Sequence, residues 1–188
     1  IDKSENMLEK AKETDKNNLV NWHKGDILDL PFKNNYFDVC FQSMVIMHID
    51  DKINFFEEIN RVLKNSGICF VRMASHKQMR NLDWYKFFPE LLEKDLEVCP
   101  DVKEVKEFMK KAKLSSIKEI EIVEKNQTSP FTRLEQVKQK AFSGLRTLTE
   151  ERYRKGLKEY KEYVDGLEDP KRKEDNKLML LMGKKKRK

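Results

Sequence analysis

The residues of this chain best placed to do chemistry are Asp26, Gln42 and His48. Asp26 closes the segment that begins at Leu19 and Val20, and Gln42 follows the apolar run Val39, Cys40 and Phe41. Such a run suits a strand covered on both faces of a parallel sheet. Ligands of these sheets lie in the crevice beyond the carboxyl ends of the strands, so Asp26 and Gln42 are expected at a binding site. His48 is the candidate for orienting or deprotonating a bound group, histidine being the side chain most used for such work, with a structural histidine as the alternative. His23 and His76 have no carboxylate or cysteine at metal-ligand spacing, and no metal site is assigned.

These residues need elements to hold them. Ser4 can cap a helix with Met7, Leu8 and Ala11 on one face, ending at the asparagine-rich break near Asp15 to Asn18. Leu19 to Asp26 reads as a strand, Lys33-Asn34-Asn35 as a turn, and Phe37 to Phe41 as the next strand. Asp50 or Asp51 can cap a helix with Ile53, Phe56, Ile59 and Leu63 along one side. Asn65-Ser66-Gly67 tolerates the left-handed angles that end it, and Ile68 to Met73 reads as a buried strand. A strand, a helix and a strand in that order require a parallel pair with a right-handed crossover. The stretch around Trp84, Tyr85, Phe87, Phe88, Leu91 and Leu92 and the segment Val102 to Ala112 read as helices. Ile117 to Val123 and Leu178 to Met182 read as strands, with two or three helices in Phe131 to Leu167.

A chain of 188 residues can form one domain with a sizeable core. Its net charge of +6 is spread thinly apart from the terminal run Lys184 to Lys188, read as a solvated tail. Cys40, Cys69 and Cys99 are odd in number and the first two lie in apolar runs, which fits a reducing cytoplasm. No run approaches the ~18 apolar residues of a membrane span, and the expectation is a soluble protein.

Four stretches in order, IDKSENMLEKAKE from Ile1, GD-x-x-x-LPF from Gly25 followed by FDV at Phe37, MHID at Met47, and EINRVLKNSG from Glu58, resemble the class I S-adenosylmethionine-dependent methyltransferases, in particular the type 11 methyltransferase domain. The resemblance covers residues 1 to about 75 well and the rest loosely. It implies an α/β fold: a doubly wound Rossmann-like methyltransferase sheet with helices on both faces, its last two strands antiparallel at one edge. The expected division is 1–126 for the core, 127–176 for a helical insertion over the substrate side, and 177–188 for the last strand and basic tail. The family's glycine-rich loop after the first strand is absent from this sequence, so the core is expected to be N-terminally truncated. The chain alone is then expected to be a poor enzyme and poorly stable, with unpaired strand edges.

By the same resemblance, Asp2, followed by Lys3, accepts hydrogen bonds from the cofactor's ribose hydroxyls. Asp26 and Ile27 read the adenine, and Gln42 lies beside the methionine portion. No catalytic residue is assigned beyond the candidate His48. The implied cofactor is S-adenosyl-L-methionine and the implied partner a small-molecule methyl acceptor, with no specific nucleic acid and no membrane span. Arg72, Arg80, Trp84 and Tyr85 follow the strand where substrate groups gather, although aromatic residues there more often pack than bind. Two rival readings differ in class. One is a noncatalytic methyltransferase-fold interaction domain using the Trp84 to Leu92 helix as its partner face. The other, a nicotinamide-dependent dehydrogenase, is disfavoured by the GD-x-x-x-LPF and FDV pair.

Overall fold

Ser4 opens the first helix, α1 (Glu5–Thr14), by accepting from the Met7 amide, and only Leu8 of its apolar stripe is buried. In the computed structural model, which describes residues 1–187, the chain then fails to form the strand expected at Leu19 to Asp26. Asp15 explains why: its carboxylate accepts from the amides of Leu19 and Val20 and from the Trp22 indole. Backbone donors satisfied by a side chain are lost to a ladder. What remains of pairing is one parallel bridge, Asp2 to Lys24.

Four strands form the sheet, β1 (Phe37–Ser43), β2 (Leu63–Met73), β3 (Leu114–Thr128) and β4 (Glu174–Lys185), in the order β1-β2-β4-β3. β1 and β2 are parallel, as the intervening helix α2 (Lys52–Val62) requires, and Asp51 caps that helix. Its buried face is Phe55, Phe56, Ile59 and Val62. The helix ends at Val62, before the expected Asn65-Ser66-Gly67 stop, and the left-handed residue is Ser66, at φ 65°, inside β2 where its register against β1 shifts. β4 runs antiparallel to both β2 and β3, which leaves β3 as one edge and β1 as the other. The last strand is longer than expected and takes in Lys184 and Lys185, so the terminal run is not simply a solvated tail. Arg187 bonds the Ser66 hydroxyl, and Lys188 lies outside the described residues.

The expectation that β1 is covered on both faces is not met. Val39 is 50% exposed and Phe41 62%, because their face meets no packed element, whereas Gln42 on the other face is buried. The inner core is built from α2, β2 and the helix α5 (Val102–Lys111), with Phe55, Phe56, Leu63, Val71 and Met109 fully buried.

A second core lies among helices only. It joins the short α3 (His76–Arg80), the 3-10 turn Asp83–Phe87 and α4 (Pro89–Val98) to α6 (Pro130–Lys138) and α7 (Glu150–Asp165), which fall between β3 and β4. Trp84, Phe88, Leu134, Leu145 and Tyr160 fill it. Here α7 comes so close to the Phe87–Phe88 backbone that a Cβ on Gly156 would sit 2.5 Å from the Phe88 ring and 2.8 Å from the Phe87 carbonyl oxygen. Gly156→Ala is therefore expected to cost about 1–3 kcal/mol through overpacking, despite alanine's better helix propensity. A chemical-denaturation midpoint equal to or above that of the parent would contradict that approach.

Candidate functional site

The site is organised at the exit of β1. Upstream of it, Ile1, His23 and Ile27 form one bank of a cleft of about 340 Å³, β1 from Phe37 to Gln42 forms the other, and Phe55, Ile59 and Val62 of α2 form the floor. The Asp2–Lys24 bridge holds the first bank together through Asp2 N–H to the His23 carbonyl (3.1 Å) and Gly25 N–H to the Asp2 carbonyl (3.1 Å). This bridge sets Asp2 beside the Lys24–Asp26 segment, next to the first bank, although neither Asp2 nor Asp26 is among the cleft's lining residues.

Each carboxylate is oriented by its own turn. Asp2 accepts from the Ser4 amide at 2.8 Å, and Asp26 accepts from the Leu28 amide at 2.9 Å. Asp26 also meets the Lys3 ammonium at 2.9 Å. The Leu28 amide first, and the Lys3 hydrogen bond second, hold the Asp26 carboxyl below the usual aspartate range. Asp26 is thus an anion at neutral pH, restricted to accepting hydrogen bonds. The Lys3 side chain is 82% exposed, so the pair is screened and easily opened.

Across the cleft Gln42 is 7% exposed, and its Oε1 accepts from the Val45 amide at 3.3 Å while its Nε2 has no partner. A buried donor left without an acceptor is costly and calls for an explanation such as a ligand. The sequence singles out Gln42 by its place after an apolar run; the orphaned side-chain amide is a tertiary feature. Two residues on, Met44 adopts a left-handed φ of 53°. For a residue with a long side chain such a conformation costs about 1–3 kcal/mol and clusters at functional sites.

On the far side of that turn is a second, larger cavity of about 680 Å³ between the β1 and β2 exits, at Met44 and Ala74, and the helical core, with Trp84, Phe142 and Gly144 among its walls. His48 lies in its wall, at the end of the 3-10 turn Ile46–His48, and not in the first cleft. His76 is tied to the Cys99 carbonyl through Nε2 (2.7 Å) and to the Asp101 carboxylate through its amide, a structural role. Arg72 is engaged by Glu124 and by the Ser43 hydroxyl. Burial pushes the Cys40 and Cys99 thiols up to about 11 and Cys69 further, so none supplies a thiolate nucleophile near neutrality.

Sequence reasoning singled out Tyr85, in the 3-10 turn Asp83–Phe87, but missed its partner Asp95 on α4, with which it lines the second cavity. The Tyr85 hydroxyl donates to Asp95 Oδ2 at 2.6 Å. Burial foremost, and the Asp95 hydrogen bond after it, push the Tyr85 phenol far above its ordinary range. Tyr85 is therefore a fixed donor. Its ten-residue separation from Asp95 carries no motif, and only a reading of helix faces across the break at Phe88 would have found it.

Comparison with known proteins bears on this geometry. The family model described as methyltransferase domain matches residues 1–71. The demethylmenaquinone methyltransferase of Staphylococcus haemolyticus is 36% identical over 80 residues, which are 42% of this chain and 34% of the relative. The 2-phytyl-1,4-naphtoquinone methyltransferase of a Nostoc strain is 30% identical over 93 residues, 45% of this chain and 41% of the relative. The chain thus spans well under half the length of these curated relatives. A solved methyltransferase assigned to an antibiotic biosynthesis pathway in Anabaena variabilis superimposes with a TM-score of 0.69 at 15% identity, covering 86% of this chain and 72% of the other. That likeness is one of fold.

Proposed function

Since this chain carries a class I S-adenosylmethionine-dependent methyltransferase domain, we propose that it binds S-adenosyl-L-methionine at the β1 exit and serves methyl transfer to a small-molecule acceptor. The observation that carries the reading is the Asp2–Lys24 bridge, which sets Asp2 beside the Lys24–Asp26 segment, together with the orphaned amide of Gln42 in the adjoining cleft.

The residues fit that cofactor's polar groups. Asp2, an acceptor oriented by the Ser4 amide, suits the two ribose hydroxyls. Asp26, once Lys3 swings aside, suits the exocyclic amine of adenine, and the neighbouring Ile27 amide its ring. Gln42 Nε2 suits an oxygen of the methionine portion. When bound, the cofactor supplies a methyl group on a sulfonium, an electrophile that needs alignment more than acid or base help. The chain's share is then to bind, orient and exclude water. His48 stands in the wall of the second cavity, where it would orient an acceptor rather than contact the cofactor cleft.

Relatives named for quinone-type substrates support a small organic acceptor. No helix among the described residues is long and apolar enough to cross a membrane. Three free thiols suit a reducing compartment such as the cytoplasm.

The test is a calorimetric titration with S-adenosylhomocysteine. Asp26→Ala is expected to raise Kd at least tenfold, and Asp2→Ala similarly. Identical dissociation constants in parent and Asp26→Ala would remove Asp26 from the site, and no heat with either would count against the cofactor assignment for this chain.

A further inference from the structure

Resting on that reading, we propose that the second cavity is the acceptor site and takes a flat aromatic ring carrying a hydroxyl group, with Asp95 as the group that receives the hydroxyl's hydrogen bond. Its position comes first. Gln42 lines the cofactor cleft and Met44 lines this cavity, and at about 3.3 Å per residue the two positions are no more than about 7 Å apart. One strand exit therefore forms a wall of both spaces, and the left-handed Met44 is the pivot between them. The cavity also lies beyond the carboxyl ends of the two parallel strands, where ligands of such sheets collect.

The wall chemistry selects the ring. Trp84, buried between Tyr85 at 4.0 Å and Phe142 at 4.7 Å, backs this wall with an aromatic stack that ends at half-buried Phe142, and Met44, Met47 and Met79 supply polarisable side chains that adapt to a ring edge. About 680 Å³ is within the range of small-molecule sites, which are mostly apolar with a few placed polar groups.

Asp95 is such a group. Half-buried in this wall, it has Oδ2 fixed by the buried Tyr85 hydroxyl, so the carboxylate is held in one orientation without being neutralised by a cation. A carboxylate accepts and cannot donate, so it prefers a hydroxylated ring over its methyl ether. A site built to pair a hydroxyl rejects the analogue lacking it more strongly than shape alone would.

The probes are 2-naphthol and 2-methoxynaphthalene, titrated into the intact chain while tryptophan emission is followed. The wild-type chain is expected to bind 2-naphthol at least tenfold more tightly than the ether. In Asp95→Asn, where Tyr85 can still donate to the side-chain carbonyl, that preference should fall to within about twofold. Ala141→Trp places bulk in the wall from an exposed position and should weaken both probes. Equal affinity for the two probes in the wild type, a preference retained in Asp95→Asn, or no binding of either probe overturns the proposal. Titration with S-adenosylhomocysteine separates the two readings: cofactor binding without naphthol binding sinks the acceptor assignment alone. Discriminating naphthol binding without cofactor binding sinks the methyltransferase reading while leaving an aromatic-hydroxyl site.

Discussion

Asp83→Ala will lower the unfolding free energy by about 3–5 kcal/mol, because it leaves a buried guanidinium with only the longer contact to the exposed Glu174 carboxylate at 3.5 Å. Arg133 Nη1 meets Asp83 Oδ1 at 2.6 Å with side chains only 10% and 13% exposed, and the Tyr160 hydroxyl donates to Asp83 Oδ2 at 3.1 Å. Burial acts to lower the Arg133 pKa, but the Asp83 charge and hydrogen bond outweigh it and the net shift is upward. The charged pair is therefore the state that the fold holds. These three side chains tie α6 and α7 to the turn before α4, so the loss should fall on the helical core that walls the second cavity. Denaturant unfolding followed by circular dichroism gives the number. The double variant Asp83→Leu/Arg133→Met removes both charges and should recover much of the loss, since a buried pair replaced by apolar residues is often neutral or better. A single variant costing less than about 1 kcal/mol would mean that the pair is solvated in solution.

The second large effect is a contrast within one motif region. Phe55→Ala, at a fully buried position between α2 and the sheet, should cost about 3–5 kcal/mol. Phe41→Ala, in the strand beside it, should cost under about 1 kcal/mol, because Phe41 is 62% exposed and little transfer energy is lost. Both are read from denaturation midpoints at constant slope. Equal losses would mean that the open face of β1 is covered in solution.

Most elements were legible from local pattern. The 3.6-residue period of α2, the cap at Ser4 and the apolar runs of β1 and β2 follow from side-chain chemistry, which is a property of short stretches, whereas the antiparallel last pair came from the family resemblance. The strand expected at Leu19 to Asp26 was misread because Leu19, Val20 and Trp22 look like strand residues, while the competing acceptor, Asp15, sits upstream and binds their donors. Of the proposed site, Asp26 and Gln42 stand out in the sequence as polar residues after apolar ones and Asp2 comes from the family resemblance, but the orphaned Nε2 of Gln42 depends on what surrounds it in space.

By itself, the sequence determined the alternation of strands and helices from Phe37 onward and the parallel β1–β2 pair, because periodicity, capping and loop length act over a few residues. Only the tertiary structure decided that β1 keeps one face open and that Asp95 is clamped by Tyr85 in a cavity separate from the cleft beside β1. It also decided that Arg133 and Tyr160 converge on Asp83 from 50 and 77 residues away. The reason is physical: exposure, desolvation and hydrogen-bond satisfaction are set by neighbours that the chain brings together only on folding, and no short-range pattern encodes them.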